Sequence, residues 1–293
     1  MKISLITDEI SADPETAVEL GVEWGVHDFE LRGFFTDRVP RFSEYQKHHL
    51  RDVLAQTQAR IVAIGPGLFK IACAPDRPQR LSLAWMEQST YDGWAEARRL
   101  LHYHLNELLP ASLDFANEFG VPLVVVFGFD RAGAPPGQPP DEVLTCMQKA
   151  AERARTAGLQ LVLENEAGFW ADTGARTASL VSAVNDHGLA VNWDPGNAFF
   201  AGEDPYPEGY KQVRRFVRHV HFKDARRDQD GSLHYVVDGQ IDWASQIRAL
   251  SEDRFGGFIS IETHVQPKVS AGLAALKRLR VMIEATGNPT AQA

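Results

Sequence analysis

The chain has 293 residues with 44% hydrophobic and 24% charged content. That length fits two ordinary domains or one large α/β barrel of about 250 residues with insertions, with enough apolar residues for a sizeable core. A formal net charge of −9 removes the general electrostatic pull on phosphate backbones, so no nucleic-acid partner is expected. The two cysteines, Cys73 and Cys146, form no C-x-x-C pair, which excludes a cysteine zinc site and a disulfide framework and fits buried thiols in a reducing compartment.

The opening MKISLITDEIS has one short apolar run, Ile3–Thr7, broken by Asp8 and Glu9. It predicts a first strand, is too short for a signal-peptide core, and precedes no apolar span of about 18 residues. A cytoplasmic protein with no membrane contact is therefore expected. Asp13-Pro14 signals the start of a helix. His27–Leu31 predicts the second strand, followed by a helix over Tyr45–Gln58, and Arg60–Ile64 the third. The segment from Gly65 to about Trp94 is rich in Gly, Pro and aromatics. Arg98–Phe119 predicts a long helix, Leu123–Phe127 a very apolar fourth strand, and RAGAPPGQPP (Arg131–Pro140) a loop. Asp141–Ala157 is the next helix and Leu159–Leu163 the fifth strand. Leu189–Asp194, Val217–His221 and Phe258–Glu262 are strands six to eight. Val269–Glu284 closes the chain as a helix, and the tail beyond it is expected to fray.

Eight strand–helix units predict a single-domain (β/α)8 TIM barrel over residues 1–285, with a frayed tail over 286–293. An open doubly wound sheet is the rival. It would concentrate its site at one switch point, whereas the chemistry-bearing residues here follow strands spread around the count, and no G-x-G-x-x-G follows the first strand.

Four apolar runs end in a side chain that can hold a cation: LQLVLE at Glu164, LAVNWD at Asp194, VRHVH at His221 and FISIE at Glu262. A parallel barrel brings these ends to one mouth. Converging carboxylates need a cation, a shared proton or a cationic ligand to be tolerated, which points to a metal-dependent enzyme. Period-two alternation puts Glu166 on the side of Glu164, Asn192 on that of Asp194, His219 and Lys223 on that of His221, and His264 on that of Glu262. Asn197 lies just beyond the Asp-Pro-Gly turn. Asp8, Glu30, Lys70 and Arg227 are weaker candidates; Glu30 and Arg32 are expected to form an ion pair within a barrel layer. Phe199, Phe200 and Trp170 are expected in the pocket wall or the core, and Arg98, Arg99, His102 and His104 on a solvated helix face.

LENEAG, NWDPGN, HVHFKD and ISIETH, in this order and at this spacing, resemble the xylose isomerase-like TIM-barrel superfamily, in particular its sugar phosphate isomerase/epimerase members. The opening ISLITDEIS and the segments GPGLFK and FGFDR are similar to the same group. The resemblance implies one divalent metal ion (Mn, Mg, Co or Zn) held by Glu164, Asp194, His221 and Glu262. It also implies that Glu164 and Glu262 exchange the substrate proton through a metal-stabilised enediolate. Contacts to a small sugar or sugar phosphate would come from Glu166, Asn197, His219, Lys223, Arg227 and His264. Asn197 stands where the family's pattern has a histidine. An isomerase or epimerase of an α-hydroxy ketone or aldehyde is the leading expectation. An inosose dehydratase-type lyase is the alternative, with His264 or His219 as the acid, and an endonuclease IV-like phosphodiesterase a distant third. The superfamily resemblance also makes a homodimer a natural expectation.

Overall fold

The computed structural model describes residues 1–73 and 94–287. Eight strands, β1 (Lys2–Ile6), β2 (Asp28–Leu31), β3 (Arg60–Leu68), β4 (Leu123–Phe127), β5 (Gln160–Glu164), β6 (Leu189–Trp193), β7 (Val217–Phe222) and β8 (Phe258–Ile261), close a barrel in chain order. Every adjacent pair is parallel, including β8 with β1, which seals it. Helices lie between strands: α1 (Pro14–Glu23), α2 (Glu44–Thr57), α3 (Trp94–Tyr103 continuing through His104–Leu108 and Leu109–Glu118), α4 (Asp141–Thr156), α5 (Gly174–Val184), α6 (Pro195–Phe200), α7 (Trp243–Glu252) and α8 (Lys268–Glu284). This is the single-domain TIM barrel expected from the sequence.

Local signals explain most boundaries. Asp13 caps α1 by accepting the Glu15 N–H, with Pro14 at the first helical position, where its missing donor costs nothing. Ser43 and Gln46 form a reciprocal capping box at α2. Strand limits fall within one residue of the sequence reading, except at β3. Its apolar run stops at Ile64, but the backbone stays extended through Gly65-Pro66-Gly67 to Leu68, with the register to β4 broken between Ile64 and Leu68. Proline has no N–H to give the ladder, so the continuation is irregular, and a pattern search ends too early.

Three features depart from expectation. In α3 the His104–Leu108 stretch is a π-turn, with the Leu109 N–H reaching back to the His104 carbonyl. Pro110 supplies the reason, because its ring would clash with the carbonyl four residues earlier in a regular helix. His104 itself is buried at 3% exposure, accepting the Phe69 N–H at Nδ1 (2.9 Å), rather than lying on a solvated face. Two short antiparallel hairpins, Gly33–Phe34 with Asp37–Arg38 and Asp224–Arg227 with Leu233–Val236, decorate the mouth. Residues 74–93 of the Gly-, Pro- and aromatic-rich segment and residues 288–293 of the expected tail lie outside the described residues. No helix among the described residues is long and apolar enough to cross a membrane.

The barrel interior is divided. Val125, Phe127, Val162, Phe169 and Ala190 fill the β4–β6 side with apolar packing. The opposite side carries a polar chain: Ser4 Oγ lies 2.7 Å from Ser260 Oγ, Ser260 Oγ 2.9 Å from His219 Nε2, and that nitrogen 2.9 Å from Glu30 Oε2. All four residues are at most 1% exposed, so this chain satisfies groups that would otherwise be costly to bury.

Candidate metal-binding active site

Glu164, Asp194, His221 and Glu262 meet at the C-terminal mouth of the barrel. One ligand-capable atom from each lies within 4.8 Å of all the others, and all four side chains are buried. Glu164 ends β5, Glu262 follows β8, and His221 sits near the end of β7. Asp194 leaves β6 and caps α6, its Oδ1 accepting the Asn197 N–H at 2.8 Å. The turn chemistry of Asp-Pro-Gly and the aim of the carboxylate are thus one device, and Oδ2 stays directed at the cluster. Asn165 locks it from behind: its Nδ2 donates to the Asp194 carbonyl and its Oδ1 accepts the Asp194 N–H, both at 2.8 Å.

The histidine is oriented by Glu30. His221 Nε2 lies 3.1 Å from Glu30 Oε2 and 3.0 Å from Asn192 Nδ2. An ionised carboxylate can only accept, so Nε2 carries a proton, and in the neutral ring Nδ1 is the nitrogen left with a lone pair. Nδ1 has no hydrogen-bond partner although it is buried. It is 3.2 Å from Glu262 Oε2, 3.6 Å from Glu164 Oε1 and 3.7 Å from Asp194 Oδ2. Four donors about 2.0–2.2 Å from a central ion would stand roughly 3–3.5 Å apart. The donor set, the orphaned nitrogen and the spacing therefore fit one divalent cation, with Glu30 holding the imidazole from outside.

Electrostatics agree with a site built to hold positive charge. Burial alone would depress His221, yet Glu30, Glu164 and Glu262 raise it well above the usual imidazole range. Burial raises Glu164, and His221 only partly offsets this. Burial would also raise Glu262, but Lys223, His264, His221 and Arg32 hold it well below. Lys223 Nζ lies 2.7 Å from Glu262 Oε2 and 2.8 Å from Asp194 Oδ2, the latter an ion pair whose angle makes no directed hydrogen bond.

The other sequence candidates divide. Glu166, Asn197, Lys223 and His264 line a narrow cavity of about 90 Å3 above the cluster. Glu166 pairs with Lys70 at 2.9 Å, and Asn197 Nδ2 donates to Glu164 Oε1 at 3.0 Å. His264 Nδ1 lies 2.9 Å from Glu9 Oε1, while Glu9 Oε2 accepts the Thr263 and His264 N–H groups. His219 does not reach the cavity: it is fully buried beneath it, against Glu30 and Ser260. Two residues separate successive inward positions on a tilted strand, so only His221 comes to the mouth. Arg227 also lies outside, exposed on the Asp224–Arg227 hairpin, with NH1 donating to the Gly231 carbonyl at 3.3 Å. The expected Glu30–Arg32 pair is replaced: Glu30 serves the two histidines, and Arg32 is held by Asp8, Glu9 and Glu262.

Sequence reasoning missed Tyr235. The second hairpin places its ring over the cavity, stacked on Phe200 with 4.3 Å between centres and 5.2 Å from the His264 ring. Its hydroxyl lies 3.4 Å from Asn197 Oδ1. Nothing in LHYVVDG signals this position, because hairpin and strand ends meet only in three dimensions. Trp170, by contrast, is a core residue whose Nε1 donates to the Cys73 carbonyl.

A family model described as "Xylose isomerase-like TIM barrel" matches residues 18–282. An inosose dehydratase of Lacticaseibacillus casei is 24% identical over 164 residues, which is 50% of this chain and 55% of that protein. The chain thus spans about half the length of the curated relatives it matches. Among solved structures, the IOLI protein with a binding zinc atom superposes with a TM-score of 0.72 at 19% identity, covering 98% of this chain and 99% of that one. A D-allulose 3-epimerase from Methylomonas sp. in complex with D-allulose superposes with a TM-score of 0.66 at 14% identity, covering 96% and 97%.

Proposed function

The chain belongs to the xylose isomerase-like TIM barrel family, and on that premise we propose that it is a divalent-metal-dependent isomerase or epimerase of an α-hydroxy ketone or aldehyde sugar. The observation that carries this reading is His221 Nδ1, buried, without a hydrogen-bond partner and ringed by Glu164, Asp194 and Glu262. Those four residues would hold the ion, which when bound supplies Lewis acidity that makes a C–H beside a carbonyl easier to deprotonate. Glu164 and Glu262 come from β5 and β8, two separate parts of the barrel wall, and both reach the cavity. One takes the proton from the substrate carbon and the other returns it, either to the same carbon from the opposite side or to its neighbour. Asn197 holds Glu164, while Arg32 and Lys223 hold Glu262, so both carboxylates keep fixed positions. Tyr235 covers the cavity and limits water access.

A lyase is the second reading, supported by the inosose dehydratase relatives and by His264, which stands at the cavity edge beside Glu262 and is oriented by Glu9. Loss of water rather than proton return would then complete the reaction.

The test is elemental analysis of the purified protein and of Asp194→Ala and His221→Ala. About one equivalent of a divalent metal is expected in the parent and a large loss in both variants. A panel of ketoses and inososes in deuterated water then separates the readings, through deuterium entering the substrate for isomerase or epimerase and an unsaturated product for lyase. A parent protein that takes up no Mn²⁺, Co²⁺ or Zn²⁺ would exclude both.

A further inference from the structure

His219 is fully buried beneath the cavity and takes no part in the chemistry proposed above. Its surroundings are nonetheless specific. Nε2 lies 2.9 Å from Glu30 Oε2 and 2.9 Å from Ser260 Oγ, and Ser260 Oγ lies 2.7 Å from Ser4 Oγ. His219, Ser260, Ser4 and Glu30 belong to β7, β8, β1 and β2, four consecutive strands across the seam where the barrel closes.

An ionised Glu30 can only accept, so His219 directs an Nε2–H at it from below, as His221 does from above at 3.1 Å. Both imidazoles converge on one oxygen, Oε2, and their rings meet edge to face with 5.6 Å between centres. With His221 as its sole donor, the Glu30 carboxylate could turn about its side-chain bonds, and the imidazole above would turn with it. A second N–H on the same oxygen leaves one position. Ser260 and Ser4, at paired positions on neighbouring strands, hold the second donor in turn.

Packing alone does not account for a histidine at this place. Its Nδ1 is buried with no hydrogen-bond partner among the described residues. An unpaired buried polar group costs about 1–3 kcal/mol, which an apolar side chain of similar size would avoid. What an apolar side chain lacks is the N–H directed at Glu30.

We propose that His219 is a positioning residue for the metal site, fixing Glu30 and through it the imidazole of His221. This rests on the metal-dependent reading above. Groups that hold a metal-ligating histidine from outside set metal affinity by about 10- to 100-fold. His219 acts one contact further out, so the lower end of that range is expected.

The test measures Zn²⁺ affinity by competition with a chromophoric chelator for the parent, His219→Leu and His219→Gln, each first shown to be folded without metal by circular dichroism. Leucine fills the space without a donor; the glutamine amide restores an N–H at about the reach of Nε2. His219→Leu should bind Zn²⁺ about tenfold more weakly than the parent, and His219→Gln within about threefold of it. Zn²⁺ affinity in His219→Leu within about threefold of the parent overturns the proposal. So does an equal loss in both variants, which would mark His219 as a packing residue. If the leucine variant fails to fold, Ser260→Ala, which frees the imidazole from the barrel wall, decides: about a threefold loss of affinity supports the proposal and no loss overturns it. A parent that binds no metal counts against the metal-dependent reading and this one together, whereas a parent that binds it with unaffected variants removes this one alone.

Discussion

The two ring nitrogens of His221 are divided between a carboxylate behind the site and an empty-handed position in front of it. That division follows from Glu30, whose own carboxyl is held well below its usual range against burial by His221 and His219. The sequence shows a strand histidine and a strand glutamate but not that they touch, because β2 and β7 are far apart in the chain. His104 teaches the same lesson at another residue. It stands in a polar stretch, HYHLNE, that looks solvated, yet the π-turn rotates it inward, and burial pushes its imidazole down to about 4. The neutral form is therefore favoured in the folded protein. With an ordinary pKa of 6.5 in the unfolded chain, the stabilisation is complete above that pH, is lost as pH falls through the window to about 4, and is constant below it. The linked loss is about 3 kcal/mol. Urea denaturation at pH 7.5 and pH 4 should show that much more loss for the parent than for His104→Asn. An identical pH dependence in the two proteins would exclude a neutral buried imidazole.

At the scale of elements, strand ends do the chemical work and the connections aim them. Asp194 at once follows the last residue of β6 and caps α6, so the turn cannot relax without moving the carboxylate. The second hairpin is tied down by Asp224, which accepts the Ala225, Gly239 and Ile241 N–H groups and pairs with Arg278 at 2.7 Å. That strap fixes Tyr235 above the cavity. Helix docking sets equally tight limits. Gly174 opens α5 against the Pro205–Gly209 turn, and a Cβ there would fall 2.2 Å from the Gly209 carbonyl oxygen, a backbone atom that cannot swing aside. Gly174→Ala should cost about 3 kcal/mol, read from the urea midpoint at constant slope. A change below about 0.5 kcal/mol would show that the turn gives way freely.

For the whole molecule, closure of the barrel by β1 and β8 makes the two chain ends part of one cooperative unit, so circular dichroism and tryptophan fluorescence should report one coincident unfolding transition. Four strands contribute the proposed ligands, and a cation bound there stabilises only the closed form. Metal at a hundred times its dissociation constant is worth about 2.7 kcal/mol, which for a chain of this size raises Tm by about 4 °C. The same addition to Asp194→Ala should leave Tm nearly unchanged. A parent Tm that does not respond to any of the candidate metals would speak against a site that needs the assembled mouth.

The amino-acid order alone determined the eight-strand count, the parallel arrangement and the four residues at strand ends, because these are local matters of apolar runs, their spacing and what terminates each run. Glu164, Asp194, His221 and Glu262 were legible for that reason. Which inward residues reach the mouth was not: His219 and His221 share a face, and only strand tilt and stagger separate a residue under the site from one in it. Nor could local pattern pair Arg32 with Asp8, Glu9 and Glu262 rather than with Glu30, or bring Tyr235, Arg38 and Lys70 to one cavity from three different connections. Those contacts join residues up to 230 positions apart, and they form only when the barrel closes.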